Sequence, residues 1–277
     1  MARLQDLQTQ LNDLSTISQV VQAYENISSL QIRQIRDRVL QAREFFHELW
    51  AMYDQLRIDV PTKAKKTIPK SGSVAVLISS DLSFASGLDE QIIQTMLEGI
   101  KTRSTDIVTI GTRGAQLLAS RNVEVSKSFH LPSLESKVNV VPIINYLSGY
   151  KTVTLYFARF ESVTEQQVVA FELHESVARL QKQSSSTDSE LMFASDYIFE
   201  PSLEEVIEYL ESTMSSIAVT QIVLESTLSQ LAYRYNSLSR ASESAKAELQ
   251  KTRRQLNVYL RRRRDVESLA YQWSFQS

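Results

Sequence analysis

The sequence contains no cysteine, which excludes disulfides, thiolate nucleophiles and every metal site that needs a cysteine ligand. No stretch approaches 18 consecutive apolar residues, so we expect no transmembrane helix. The first residues enter an amphipathic pattern directly, without the apolar run of a signal peptide, so we expect none. The formal net charge of −2 creates no global field that would attract nucleic acid.

Glycine and proline are missing from both ends of the chain. All six glycines and all five prolines lie between Pro61 and Pro201. These two residue types cost the most inside a helix, so both ends are free to form long, unbroken helices. At 1.5 Å per residue the two helices would reach roughly 90 and 110 Å, which is longer than a compact domain of this size.

Apolar residues recur in both end segments at alternating steps of three and four, which is the period of supercoiled helices. Simple core faces of a helical bundle would show the same period. In the first segment a more polar patch around Ser18 and Glu25 interrupts the pattern. We call the line of residues with this spacing a seam. The first seam contains Leu4, Leu7, Leu11, Leu14, Val21, Ser28, Ile32, Ile35, Val39, Ala42, Phe46, Leu49, Tyr53 and Leu56. The second contains Leu203, Ile207, Leu210, Met214, Ile217, Leu224, Leu228, Leu231, Tyr235, Leu238, Ala245, Leu249, Leu256, Tyr259 and Val266.

The middle of the chain alternates strand and helix patterns, which predicts a mainly parallel, right-handed, Rossmann-like sheet. Strands are predicted at 73–80, 106–111, 123–125, 152–160 and 167–173, and helices at 87–101, 114–120 and 141–147. Residues 183–189 form a polar loop, and 191–199 an extended segment. The fold class is thus α/β plus a long antiparallel coiled coil. The sheet domain, 61–201, is inserted between helices at 1–60 and 202–277.

Known catalytic constellations are missing from the sequence. There is no GxGxxG or GxxxxGK[ST] motif to hold a nucleotide phosphate. His47, His130 and His174 lie far apart and none has a partner at ligand spacing. Gly111 to Gly114 is interpreted as a turn rather than an anion site, and Asp81 as a structural turn acid. We therefore expect no catalytic residue, no cofactor and no metal.

A basic segment near the end of the chain is the one strong charge feature. Seven basic residues and no acid lie between Lys251 and Arg264. A solvated helix face, an anionic nucleic acid or membrane, and an acidic protein surface are all compatible with such a run.

Three segments of the chain carry motifs that are typical of a known family. Residues 80–88 (Ser-Asp-Leu-Ser-Phe-Ala-Ser-Gly-Leu) occupy the place of a Ser-Asp-Arg-Gly-Leu-Cys-Gly-Gly-Leu turn. Residues 110–114 (Ile-Gly-Thr-Arg-Gly) resemble an Ile-Gly-x-x-Gly strand end. Residues 197–202 (Tyr-Ile-Phe-Glu-Pro-Ser) are similar to a Tyr-x-x-Glu-Pro-Ser entry to a final helix, the most specific of these matches. In the same order, and over nearly its full length, the chain resembles the gamma subunit of F-type ATP synthase, the central rotor shaft.

The resemblance implies a non-catalytic rotor shaft with several partners. These are the alpha and beta subunits of the catalytic hexamer, an epsilon subunit and the membrane rotor ring, with no nucleic acid. The membrane would be contacted only through the complex, at the cytoplasmic face of a bacterial plasma membrane. Ring-facing polar contacts are assigned by the resemblance to Arg33, Arg36, Asn257, Arg261, Arg264 and Glu267.

The residues alone leave two other functions open, and the resemblance leaves a third. The chain fits a coiled-coil scaffold that carries an α/β binding module. The resemblance is also compatible with the shaft of a related F-type ATPase that does not synthesise ATP. A small-molecule enzyme on a Rossmann-like domain is the least favoured, because no phosphate-binding motif is present.

Overall fold

The computed structural model describes residues 2–57, 72–100, 105–132, 138–173 and 203–274. Helix α1 spans Ala2–Arg57, 56 residues, and helix α5 spans Leu203–Ser274, 72 residues. Neither helix contains glycine or proline, as the sequence predicts. The predicted long terminal helices are confirmed, and the second one does not fold back on itself. The predicted polar loop, the extended segment 191–199 and the domain boundaries near 61 and 201 lie outside the described residues.

In the sequence between the terminal helices, the described residues form five strands and three shorter helices. In chain order they are β1 Ser73–Ile78, α2 Ser86–Gly99, β2 Thr105–Ile110, α3 Thr112–Ser120, β3 Lys127–Phe129, α4 Val141–Leu147, β4 Thr152–Phe160 and β5 Gln166–Glu172. The strands form one sheet in the order β3-β2-β1-β4-β5.

The sheet is mixed rather than fully parallel. Strands β1 to β4 are parallel, with Val76 of β1 opposite Val108 of β2 and Leu155 of β4. Strand β5 pairs antiparallel with β4 because only residues 161–165 connect them, which is too short for a parallel crossover. Ser162 and Glu165 close this turn with reciprocal backbone hydrogen bonds of 3.0 and 3.3 Å.

The prediction of the third strand at 123–125 is wrong, since the strand begins at Lys127. Asn122 adopts a left-handed conformation with φ of 56°, and the Val123 amide still donates to the carbonyl of Leu118 at 3.0 Å. These contacts end helix α3 and delay the return to the sheet. The chain enters the sheet at Ser126, whose amide donates to the carbonyl of Ile107 at 2.8 Å.

Both faces of the sheet are covered, because alternate residues of a strand point to opposite faces. Helices α2 and α3 cover one face, where Leu88, Ile92 and Met96 pack on Ala75 and Leu77. The opposite face is covered by α4 and by one segment of α5. That core contains Val74, Val76, Ile78, Ile143, Leu147, Leu155, Phe157, Ala218, Val219, Ile222 and Val223.

The chain divides into two compact units. One comprises Met1–Leu30 with Tyr235–Ser277, and the other comprises Gln31–Arg234, which includes the sheet. In the first unit, Leu4, Leu7, Leu11, Leu14, Ser18, Val21, Glu25 and Ser28 of α1 are buried or half-buried. The seam therefore continues through Ser18 and Glu25, where the sequence showed an interruption.

Helix α5 contributes a matching seam to the first unit. Its buried or half-buried residues are Tyr235, Leu238, Ser242, Ala245, Leu249, Thr252, Leu256 and Tyr259. The assignment of Val266 to this seam is wrong, because its side chain is 66% exposed. Residues 261–266 are all exposed, so they are not part of the seam.

Candidate partner-contact surfaces

The strand order places a switch point between β1 and β4, where α/β sheets usually bind ligands. In the sheet, β1 has β2 on one side and β4 on the other, so the order of the strands changes direction at β1. Ligands bind such sheets outside the carboxyl ends of the strands. Ser79, Ser80 and Asp81 follow β1 at this edge, so their contacts decide whether a ligand site is present.

The amino end of helix α3 is closed by the protein itself. The amides of Gly111 and Arg113 donate to the carbonyls of Phe129 and Ser80 at 2.8 and 3.2 Å. The Thr112 amide donates to Asp81 Oδ1 at 2.5 Å, and the Thr112 hydroxyl donates to the same oxygen at 2.8 Å. The Gly114 amide donates to Ser79 Oγ at 2.9 Å. A helix begins with amides that lack helical partners, and here the first four are all satisfied.

Gly111 and Gly114 fit this closed arrangement because a side chain at either position would collide with the end of β1. A Cβ at Gly111 would clash with the carbonyl of Ser79, and φ at Gly111 is 107°. A Cβ at Gly114 would lie 2.7 Å from the Leu77 side chain. The segment is therefore a packed turn rather than a phosphate cradle, as the sequence indicated. Asp81 is a turn acid, and its Oδ2 accepts from the Leu131 amide at 3.2 Å.

The loop between β1 and α2 presents one aromatic side chain to the surface. Phe84 has φ of 68°, which is rare for a bulky residue, and its side chain is 49% exposed. The loop is fixed on both sides of it. The Leu82 amide donates to Ser80 Oγ at 2.8 Å, and buried Ala85 accepts from the amide of Leu88 at 3.0 Å. This loop surface is preorganised, since its backbone contacts hold the strained residue in place.

The basic end of α5 forms a second surface, in the first unit. Asn257, Arg261 and Arg264 are exposed and follow steps of four and three, so they share one helix face. The side chain of Glu267 lies outside the described part of the structure. Arg33 and Arg36 are also exposed and share a face of α1, but they belong to the other compact unit.

An apolar stripe on α1 forms a third surface. Ile17, Val20, Tyr24, Ile27 and Leu30 have exposed fractions between 41% and 60%. Each of the first four directly precedes a seam residue, and a step of one residue is a rotation of about 100° around the helix. The stripe therefore lies about 100° around the helix axis from the seam, and we call it the α1 stripe. Contiguous exposed apolar residues commonly mark interaction sites.

Sequence reasoning missed the α1 stripe, Phe84 and the buried carboxylate of Asp89. The stripe has the same three-and-four spacing as the seam, so the sequence does contain a periodic signal for it. Asp89 falls on the helix face of Ile92, Ile93 and Met96, which was a detectable signal. The left-handed conformation of Phe84 leaves no trace in the sequence, because residues at such positions are normally glycine or asparagine.

Two negative findings concern the described residues only. Within them, no three histidine, aspartate or glutamate side chains are grouped so as to hold a metal ion. No helix in the same part of the chain combines the length and apolarity needed to cross a bilayer. His130 is exposed, the side chain of His47 is not described, and His174 lies outside the described ranges.

These features define a class of protein in which the sequence of a mixed α/β sheet is inserted between two long terminal helices, whose surfaces include an exposed apolar stripe and an exposed basic segment. Comparison with known proteins gives the family. A family model described as ATP synthase matches residues 3–263, which is most of the chain. The chain belongs to this family, and the curated relatives that it matches are ATP synthase gamma chains.

Two of these relatives show the extent of the similarity. The ATP synthase gamma chain of Moorella thermoacetica is 25% identical over 259 residues, with 88% of each chain covered. That of Dictyoglomus thermophilum is 25% identical over 276 residues, covering 93% of this chain and 91% of the relative. The similarity therefore includes both terminal helices as well as the sheet.

Solved structures agree on the fold. A chain of the Euglena gracilis mitochondrial ATP synthase, in a structure of OSCP, F1 and c-ring, matches with a TM-score of 0.70 and 14% identity. The alignment covers 99% of this chain and 94% of that one. A chain of the Tetrahymena thermophila central stalk and c-ring matches with a TM-score of 0.55 and 20% identity, over 80% of this chain.

Proposed function

We propose that this chain is the central rotor shaft of an F-type ATP synthase or ATPase. It would couple rotation of a membrane ring to ATP synthesis or hydrolysis in a hexamer of alpha and beta subunits. The observation that carries this proposal is the family match over residues 3–263. The fold of the chain agrees with a shaft, because uninterrupted helices of 56 and 72 residues form its two ends.

The chain acts mechanically and has no catalytic residue of its own in this proposal. A shaft makes chemically identical sites unequal only if it makes different contacts with each of them. The first unit supports such contacts, because its surface is uneven: the α1 stripe is apolar, and the end of α5 is strongly basic. Turning this surface past three equivalent subunits would present each with a different chemistry.

The basic residues of α5 are proposed to face acidic groups of the surrounding hexamer. Arg261 and Arg264 are exposed and permanently charged, and arginine pairs with carboxylates through two parallel hydrogen bonds. Asn257 shares their helix face, while Glu267, Arg33 and Arg36 complete the proposed set of contacts. The α1 stripe would supply apolar burial in the same interface.

The sheet unit is proposed to hold an epsilon subunit and the membrane rotor ring. The closed amino end of α3 argues against a nucleotide ligand at this edge of the sheet, since the amides that would bind a phosphate are already occupied. In this proposal the chain is a peripheral protein on the cytoplasmic face of a bacterial plasma membrane. It meets the membrane only through the complex.

Co-purification tests the proposal directly. A rotor shaft is expected to purify with a nucleotide-hydrolysing hexamer at one copy per ring. Recovery of the chain without any ATPase would refute the proposal and favour a coiled-coil scaffold. A complex that hydrolyses ATP but does not synthesise it under an ion gradient would identify the shaft of a related ATPase.

The contacts are tested with two matched double variants. Arg261→Glu with Arg264→Glu reverses two charges on the proposed contact face. Arg240→Glu with Lys246→Glu reverses two exposed charges elsewhere on the same helix and serves as the control. We expect the first pair, and not the second, to weaken assembly and the coupling of rotation to hydrolysis. Equal behaviour of the two pairs would remove Arg261 and Arg264 from the interface.

A further inference from the structure

Strand β5 forms one edge of the sheet. It pairs antiparallel with β4 on one side, and no residue that the structure describes pairs with it on the other. In an antiparallel pair, every second residue directs its amide and carbonyl away from the partner strand. The outer side of β5 therefore carries a row of main-chain donors and acceptors, which is the arrangement that a further strand recognises.

The two edges of the sheet differ in how they are protected. Natural proteins protect edge strands by keeping them short or by placing a charge or a proline in them. The opposite edge strand, β3, has three residues and begins with Lys127. Strand β5 has seven residues, and from Gln166 to Phe171 it contains neither a charge nor a proline. The sequence thus protects one edge against strand addition and leaves the other suited to it.

Apolar side chains of β5 are left half-buried on both faces of the sheet. Val168 packs beside the core under α2, whereas Val169 and Phe171 pack beside the opposite core. Their neighbours on β4 are better covered: Ala158, opposite Val168, and Leu155, opposite Phe171, are both 0% exposed. A further strand would bury the remaining apolar area on both faces, because its own side chains alternate between them. A helix laid on the sheet would cover only one face.

We propose that β5 receives an extended strand of a partner protein, which continues the sheet at this edge. The matching segment is as long as β5, seven residues, and uncharged, since a charge beside this edge would lose water without gaining an opposite charge. The extended segment predicted at 191–199 of this chain fits less well, because each of its seven-residue windows contains Asp196. A second copy of the chain does not fit a shaft that is present once per ring.

The inference rests on the proposed function for the presence of a partner in the complex, but the two fail separately. Co-purification with an ATPase, together with an open β5 edge in that complex, would refute the added strand and leave the rotor shaft in place. A strand added by a partner in a complex without ATPase activity would do the reverse.

Amide exchange resolved to single residues compares the full chain alone with the complex in which it purifies. We expect every second amide between Gln166 and Phe171 to exchange rapidly in the chain alone and at least about tenfold more slowly in the complex. Exchange that stays rapid in the complex would overturn the proposal. Slow exchange of all these amides in the monomeric chain would also overturn it, because the chain's own residues would then cover the edge. Slow exchange that appears only when the chain alone dimerises would assign the edge to a second copy, and the proposal would be wrong.

Two matched variants test the partner. Ala170→Lys places a charge at an exposed position of the β5 edge, which opposes strand addition. Ala119→Lys makes the same change at an exposed position of α3 in the same unit and serves as the control. Native mass spectrometry of the purified complexes gives their subunit composition. We expect Ala170→Lys to lower the occupancy of one subunit about fivefold, and Ala119→Lys to leave it unchanged. Slow exchange of the β4 amides checks that both variants fold, and an unchanged composition with folded Ala170→Lys would overturn the proposal.

Discussion

At the scale of single residues, Asp89 gives the unfolding free energy a pH dependence. Burial raises its pKa from 3.8 to about 6. Between these values the folded chain holds a proton that the unfolded chain has already released, so stability falls as pH rises through this window. The contribution of Asp89 to stability is fully present below the pKa of the unfolded state and is lost as pH rises through the pKa of the folded state.

Asp89→Asn removes this dependence. We expect the unfolding free energy of the variant, relative to wild type, to increase by roughly 2 kcal/mol between about pH 4 and pH 8. Denaturant unfolding at a series of pH values measures this difference. Parallel curves for the two proteins would show that Asp89 has the same pKa in the folded and unfolded chain.

Phe84 yields a second prediction at the residue scale. Its φ of 68° costs a non-glycine residue about 1 kcal/mol, which glycine does not incur. Phe84→Gly is therefore expected to leave the unfolding free energy unchanged or slightly raised. Ser83→Gly, at a neighbouring position without positive φ, is expected to lower it by about 0.5–1 kcal/mol. Denaturant unfolding of both variants makes the comparison, and an equal loss in both would contradict the strain argument.

Gly111 yields a further prediction at the residue scale, because no side chain fits at this position. Gly111→Ala places a Cβ against the Ser79 carbonyl at a φ of 107°, so strand β1 or helix α3 must move. We expect a loss of about 3 kcal/mol, as is usual when backbone strain and a core clash combine. Thermal unfolding tests this, and a melting temperature equal to that of the wild type would mean that the turn is not closed as described.

At the scale of elements, α1 has two faces with the same spacing and different burial. Val21 belongs to the seam, whereas Val20 belongs to the exposed α1 stripe. Val21→Ser is expected to lower the stability of the first unit by about 1–2 kcal/mol, and Val20→Ser by less than about 0.5 kcal/mol. If the rotor proposal holds, Val20→Ser is the variant that weakens the complex. Equal stability losses measured by circular dichroism would show that the two faces are not distinguished.

The elements also show how far the sequence predicts this structure. The terminal helices, β1, β2, β4, β5 and α4 are predicted closely, because each has a clear period or apolar run within its own residues. The third strand was misplaced because Asn122 and the contacts that end α3 lie outside any periodic pattern. The antiparallel direction of β5 depends on the length of its connection to β4. Of the contact surfaces, the sequence identifies the arginine cluster. The α1 stripe and the seam have the same spacing in the sequence, and only their different burial in the structure distinguishes them.

At the scale of the whole molecule, the two compact units differ in what they bury. The sheet unit contains strands such as β1, whose residues 74–78 are almost fully buried. The seam of the first unit includes the polar residues Ser18, Glu25, Ser28, Ser242 and Thr252, so it buries less apolar surface per residue.

Amide exchange of the full chain is expected to reflect this difference. Amides of β1 and β4 should exchange at least about a hundredfold more slowly than those of residues 2–30 and 240–266, because local opening is easier where few apolar contacts are lost. Hydrogen exchange with mass spectrometry resolves these segments. Uniform protection across both units would show that the polar seam does not lower local stability.

The carboxylate of Asp81 at the start of α3 has a consequence for how the chain responds to solutes. A helix start in this position normally attracts free anions, including the phosphates of ATP. Here a resident negative charge already fills that position, and neighbouring main-chain groups engage the remaining donors. At this edge of its sheet, the chain therefore offers neither ATP nor ADP a free main-chain donor at the start of α3.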